Sequence, residues 1–244
     1  GESIVNFVIP APSIPSVAVE GESARFPARR IFCVGRNYAA HAREMGKDPD
    51  REPPFFFLKP ADTVVDDHAV VPYPPETADF QHEIELVVAI GEAGFDVSAE
   101  AASALVFGYA VGIDLTRRDL QFKARDAGRP WDWGKGFDLS APCAPLRRAG
   151  AVGHPTTGRI WLAVNGVSRQ DGDLAELIWP VAEVISIISR SMLLLPGDLI
   201  YTGTPAGVGP LVTGDEVSGG IDGIGEIHMT VGGKYSPATR SFRT

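Results

Sequence analysis

Apolar positions along the chain fall into short runs closed by glycine and proline, not into long helical stripes. The run Arg30-Ile31-Phe32-Cys33-Val34, ending at Gly35, predicts a strand. His82 to Ile90, β-branched and closed by Gly91, predicts a second, and Tyr109 to Leu115 a third that is buried on both faces. The burst Phe55-Phe56-Phe57-Leu58 reads as a buried strand inside a proline-rich loop from Asp48 to Pro75. Arg159 to Val164 alternates as a strand does, and Asn165-Gly166 behind it is a hairpin signal. Leu199 to Thr202 predicts a short strand before the glycine loop Gly203 to Gly209, and Gly214 to Val231 reads as glycine-punctuated strand.

Helical signals are fewer. Asn37 is placed to cap Tyr38 to Met45, which Gly46 would end, and Ser98 to cap a helix running to about Phe107. Pro180 suits the first turn of a helix over Val181 to Ser191. Gln121 to Phe137 mixes charge, tryptophan and glycine and reads as a structured loop. The proline-rich residues 1–29 read as an irregular arm, leaving residues 30–244 as one domain. Strands outnumber helices and do not alternate with them, so the expected class is α+β, rich in β.

Composition agrees with a globular domain: 244 residues, 44% hydrophobic and 22% charged. The net charge of −9 argues against nucleic acid as a partner. No apolar run reaches the length of a membrane span, and the N-terminus lacks the order of a signal peptide. Cys33 and Cys143 form no CxxC pair or disulfide framework, which suits a reducing cytoplasm, and Cys143 reads as structural.

Candidate chemistry begins at His82-Glu83-Ile84-Glu85. In a strand, residues two apart share a face, so Glu83 and Glu85 point the same way. Such a pair is either an exposed strand face or, with Asp114 at the end of the apolar run Tyr109 to Leu115, a three-carboxylate cup. A cup needs a counter-charge, and hard oxygen donors suit Mg²⁺, Mn²⁺ or Ca²⁺. His41 and Glu44, three apart, share a helical face and read either as a surface ion pair or as a pair that takes a proton from water. Between Arg117 and Lys135 the chain carries an excess of three positive charges, either a solvated loop or the recognition surface for a small anion. The hydroxyls and backbone N–H groups of Thr202 to Gly209 could hold an anion. Phosphate-loop, dinucleotide and nucleophile-elbow patterns are absent.

In this order the pieces resemble the fumarylacetoacetate hydrolase superfamily. The matching segments are Gly35-Arg36-Asn37-Tyr38 with His41 and Glu44, Phe57-Leu58-Lys59-Pro60, and His82-Glu83-Ile84-Glu85-Leu86. Gly112-Ile113-Asp114-Leu115-Thr116-Arg117-Arg118-Asp119-Leu120-Gln121, Trp133-Gly134-Lys135-Gly136-Phe137, Val164-Asn165-Gly166, Pro196-Gly197-Asp198 and Thr202 to Gly209 complete the set. Asp50 to Phe57, Arg129-Pro130-Trp131-Asp132 and Gly136-Phe137-Asp138 look most similar to the branch that hydrolyses fumarylpyruvate in gentisate breakdown.

The resemblance implies a mixed β-sandwich roll with a few short helices, a homodimer, and Mg²⁺ or Mn²⁺ held by Glu83, Glu85 and Asp114. It implies His41, Glu44 and Lys135 as catalytic residues, with Arg118, Gln121, Thr204 and Lys59 around a small anionic diketo acid. The implied reaction is hydrolysis of a carbon–carbon bond. Acylpyruvate hydrolysis, oxaloacetate decarboxylation and a non-catalytic metal-stabilised module are the alternatives. Which residue reads the substrate's far carboxylate stays open among Arg36, Arg43 and Lys47. Gly134, where relatives often carry alanine, is expected to matter little.

Overall fold

The computed structural model describes residues 5–45 and 52–239. Ten strands of four residues or more carry the fold. They are β1 (Arg30–Gly35), β2 (Phe55–Lys59), β3 (Ala69–Tyr73), β4 (Ile84–Ile90), β5 (Val106–Ile113), β6 (Arg159–Val164), β7 (Val167–Asp173), β8 (Asp198–Tyr201), β9 (Glu216–Ile221) and β10 (Gly225–Lys234). In the first sheet β5, β4, β8, β1 and β2 lie in that order, with Arg147–Arg148 outside β5. Only the β8–β1 pair in it is parallel. The second sheet runs β7-β6-β9-β10-β3.

The inner faces of the two sheets share one core, in which Leu86, Val88, Val111 and Ile200 of the first meet Ile160, Leu162, Val217 and Ile227 of the second. Residues Val17, Val19, Phe26, Cys143 and Leu146 cover the other face of the first sheet, against Cys33, Val87, Ala89 and Tyr201. That double cover is why β4 is buried at every position and shows no alternation. It also moves part of the N-terminal segment out of the irregular arm. Residues 5–14 are exposed, but Ser16–Val17 pairs with Phe26–Pro27 and joins the core.

Helices α1 (Ala39–Glu44), α2 (Arg118–Asp126), α3 (Asp132–Lys135) and α4 (Val181–Ser191) are the ones that bear on the site and the core. The segment read as a loop over Gln121 to Phe137 holds most of α2 and all of α3. The buried residues of these two helices are Arg118, Gln121, Gly134 and Lys135, so no apolar stripe announces them. The helix after Ser98 is short: the Ser98 hydroxyl accepts from Ala101 N–H, but Ala99–Ala102 passes through a 3₁₀ turn into β5. Asn165 and Gly166 both take positive φ and close the β6–β7 hairpin as expected.

β2 is an edge strand, not a buried one. Phe55 and Leu58 remain 44% and 45% exposed, whereas Phe55, Phe57 and Lys59 share the face turned toward Trp131 and the site.

Asn37 is not the cap of α1. Its side-chain N–H groups go to the carbonyls of Trp179 (2.9 Å) and Thr202 (2.8 Å), and its Oδ1 accepts from Trp179 N–H (2.7 Å). It therefore ties the turn leading into α1 to the glycine loop and to the start of α4. Asn37→Ala should cost about 2–4 kcal/mol, because three bonds are lost and buried backbone groups are left unpaired. Urea unfolding checks this; a midpoint within error of wild type would show the tie to be dispensable.

Candidate metal and active site

Antiparallel pairing sets Ile84 of β4 opposite Ile113 of β5, and the Asp114 N–H donates to the Glu83 carbonyl at 2.8 Å. Glu83 and Asp114 thus meet at the sheet end, and Glu85, two residues on, faces the same way. One oxygen from each of Glu83, Glu85 and Asp114 lies within 4.8 Å of the others. All three residues are buried, at 5%, 2% and 0% exposure. These values exclude the reading of Glu83 and Glu85 as an exposed strand face.

The first glycine of the loop steadies this cup. Gly203 N–H donates to Glu85 Oε2 at 3.0 Å. Gly203 sits at φ +110°, and a Cβ there would stand 2.7 Å from Asn37 Cβ, so the position requires glycine.

Lys135 caps the cup. Its Nζ donates to Glu83 Oε2 (2.9 Å), Asp114 Oδ2 (2.8 Å) and Thr116 Oγ1 (2.8 Å), using all three protons. Arg118 reaches the other oxygen of Glu83 at 2.6 Å and also holds Gln121 Oε1 at 2.6 Å. Burial pushes the Glu83 carboxyl up, but Lys135 and Arg118 more than reverse this and hold it well below the usual carboxylate range. Glu85 goes the other way: burial, then the charges of Asp114 and Glu83, push it well up. Burial lowers the Lys135 ammonium, but Asp114 and Glu83 outweigh that and raise it.

The cup fits a divalent cation. Its donors are three hard oxygens, and the pressure on Glu85 is the like-charge repulsion a cation relieves. Asp114 Oδ1, fully buried, receives no hydrogen bond. Lys59 Nζ stands 2.8 Å from it as an ion pair and donates to the carbonyls of Leu115 and Lys135.

His41, Arg118, Gln121, Lys135 and Thr204 line one narrow cavity with Glu83 and Glu85, as the sequence led us to expect. His41 is 5% exposed and lines this cavity beside Glu83. Thr204 Oγ1 accepts from Gln170 Nε2 at 2.8 Å. Lys59 is the exception. It does not line that cavity, and its ammonium pairs with Asp114 from behind the cup. The side chains of Arg43 and Glu44, and Gly46 and Lys47 entirely, fall outside the described residues.

The basic island divides. Arg118 and Lys135 enter the site, whereas Arg117 is spent on the carbonyls of Trp133 and Pro75. Gly134 matters more than expected, since a Cβ there would meet the Gln121 backbone at 2.7–2.8 Å. Glycine lets α3 approach α2 and so sets Lys135 against Arg118 and Gln121. Three contributors were not singled out as site residues: Thr116 and Trp131, which lie inside the matching segments, and Gln170, which carried no sequence signal. Gln170 lies in the hairpin strand β7, yet its Oε1 accepts from Ile84 N–H (3.1 Å) and meets His82 Nδ1 (2.9 Å), bracing the start of β4. Cys143 is fully buried, and burial pushes its thiol up to about 12, in keeping with a structural role.

A β-roll presenting three converging carboxylates, faced by a lysine, an arginine and a histidine, has the make-up of an enzyme that uses a divalent cation to handle small anions. The chain belongs to the fumarylacetoacetate hydrolase family, whose C-terminal domain model matches residues 30–232. Among curated relatives, a fumarylpyruvate hydrolase from a Ralstonia species is 48% identical over 191 residues, covering 77% of this chain and 98% of that protein. A mitochondrial oxaloacetate tautomerase from Arabidopsis thaliana is 39% identical over 208 residues, covering 85% and 93%. Among solved structures, the fumarylpyruvate hydrolase from Pseudomonas aeruginosa in complex with Mn²⁺ and pyruvate superposes with a TM-score of 0.92. It is 51% identical and covers 94% of this chain and 100% of that one.

Proposed function

We propose that this chain is a divalent-cation-dependent hydrolase that splits fumarylpyruvate and water into fumarate and pyruvate. The observation that carries the reading is the buried cup of Glu83, Glu85 and Asp114 with Lys135 bonded across two of its members. The Ralstonia and Pseudomonas fumarylpyruvate hydrolases support the substrate, and the Mn²⁺ and pyruvate of the latter support the cation and the product end. Glu83, Glu85 and Asp114 would hold Mg²⁺ or Mn²⁺, which when bound supplies positive charge for the oxygen of the departing enolate.

Bond cleavage must expel pyruvate as its enolate, a poor leaving group. The Lys135 ammonium, held charged by Glu83 and Asp114, stabilises that developing charge. Arg118 and Gln121 orient the pyruvoyl carboxylate, and Thr204, fixed by Gln170, closes the opposite wall. A ring nitrogen of His41 takes a proton from water as the oxygen attacks the fumaryl carbonyl, the role that the family resemblance gives His41 together with Glu44. The carbon–carbon bond then breaks, and the proton passes to C3 of the enolate to give pyruvate. His41→Ala should therefore keep cation affinity and lose at least about 10²-fold in kcat. Titration with Mn²⁺ beside turnover checks it; loss of the cation would reassign His41 to the metal.

The same family resemblance supports a cytoplasmic homodimer acting in gentisate breakdown. Among the described residues no helix is long and apolar enough to cross a membrane. The test is turnover of fumarylpyruvate, acetylpyruvate and enol-oxaloacetate with Mn²⁺ present. Fumarate and pyruvate in equal amounts are expected. Rapid oxaloacetate tautomerisation without cleavage of fumarylpyruvate would move the chain to the tautomerase branch, and carbon dioxide release would make it a decarboxylase.

A further inference from the structure

At the mouth of the same cavity stands Arg36, directly after β1. Three features set it apart. Its backbone is left-handed, φ +57°, a conformation costly for a non-glycine residue and frequent where a side chain must be aimed into a site. Its guanidinium carbon lies 5.4 Å from the ring centroid of Trp131, itself 8% exposed. Its Nε is buried and, among the described residues, has no hydrogen-bond partner. A buried guanidinium N–H left open is costly unless something outside the chain completes it.

Among the described residues, the charges around Arg36 do not supply that partner. Burial lowers its pKa first, and repulsion from Arg125 outweighs attraction from Glu52. Their balance leaves this end of the cavity positive.

Between Arg36 and the metal cup lies an aromatic wall. Trp131 and Phe57 pack with ring centroids 5.6 Å apart, and Lys135 Nζ sits 5.0 Å from the Phe57 centroid. A cation thus stands at each end, with two rings between them. Resting on the function proposed above, we infer that Arg36 is the subsite for the terminal carboxylate of an extended, conjugated diketo diacid. The pyruvoyl end lies at Lys135 and Arg118, the flat unsaturated chain lies along Phe57 and Trp131, and the far carboxylate completes Arg36. A trans double bond keeps the chain straight along this wall, whereas a cis one turns the carboxylate back. Arg36 therefore selects dicarboxylates over monocarboxylates, and fumaryl over maleyl.

The experiment compares kcat/KM for fumarylpyruvate, maleylpyruvate and acetylpyruvate, which lacks the second carboxylate, in wild type, Arg36→Met and Arg36→Lys with Mn²⁺. A charge-assisted bond to a carboxylate carries about 10- to 100-fold. Arg36→Met should lose that much on fumarylpyruvate, mainly through KM, and clearly less on acetylpyruvate, so that the preference collapses. Arg36→Lys should fall between. Inhibition by fumarate should weaken in Arg36→Met and inhibition by pyruvate should not. An unchanged fumarylpyruvate-to-acetylpyruvate ratio in Arg36→Met overturns the subsite alone, as does equal loss of fumarate and pyruvate inhibition. Wild type that cleaves neither substrate overturns the hydrolase reading and the subsite with it.

Discussion

Lys135→Met should lower kcat at least 10²–10³-fold, the loss typical of removing one preorganised charge stabiliser. The geometry argues for the upper part of that range. All three Nζ protons are committed within the site, so no neighbour can swing in to replace them. Arg118 is already divided between Glu83, Gln121 and Gln81, and Lys59 between two carbonyls and the far side of Asp114.

The same substitution separates catalysis from stability. Without Lys135, Glu83 and Asp114 lose a buried counter-charge, a change that typically costs about 3–5 kcal/mol. Added cation should recover much of that loss, because it offers positive charge to the same oxygens, but not the rate. Single-turnover kinetics and melting with and without Mn²⁺ measure both effects. Near-normal turnover in a folded Lys135→Met protein would remove the lysine from the chemistry.

Metal removal should have the other large effect. An exhaustively chelated sample should be inactive, and Mg²⁺ or Mn²⁺ should restore it. Stability should change in the same experiment. A ligand that binds only the folded chain adds about 2.7 kcal/mol at one hundred times its Kd. For a chain of this size that corresponds to a rise of about 5–10 °C in Tm. The physical origin is the strain on Glu85, held among buried carboxylates of like charge. Full activity after chelation, or a Tm indifferent to the cation, would end the assignment of Glu83, Glu85 and Asp114 as its ligands.

The sequence was most legible where a signal is local. Asn165-Gly166, Pro180 and the apolar runs of β1, β4 and β5 announce their structure through backbone preferences of a few residues. Glu83 and Glu85 announce a shared face through period two, and Asp114 closes an apolar run. Their ordered combination, with His41, Arg118, Gln121, Lys135 and Thr204, carries the family resemblance.

Reading failed where burial is polar. The helices α2 and α3 bury arginine, glutamine and lysine in place of leucine, so hydrophobic periodicity could not find them. Asn37 read as a cap because caps are local, while its real partners lie 142 and 165 residues away. Lys59 was grouped with the cavity residues because a family motif preserves the residue, not the direction it faces, and its ammonium pairs with Asp114 from behind the cup.

What the chain alone determined is the inventory: which side chains can ligate, donate, take a proton or turn the backbone, and in what order they come. What only the tertiary structure decided is which of them meet. The β4–β5 register closes the carboxylate cup, the close approach of α3 to α2 at Gly134 seats Lys135, and the packing of Phe57 on Trp131 separates that lysine from Arg36. These are long-range contacts, set by pairing and close packing between segments far apart in the chain, and no spacing within one segment encodes them.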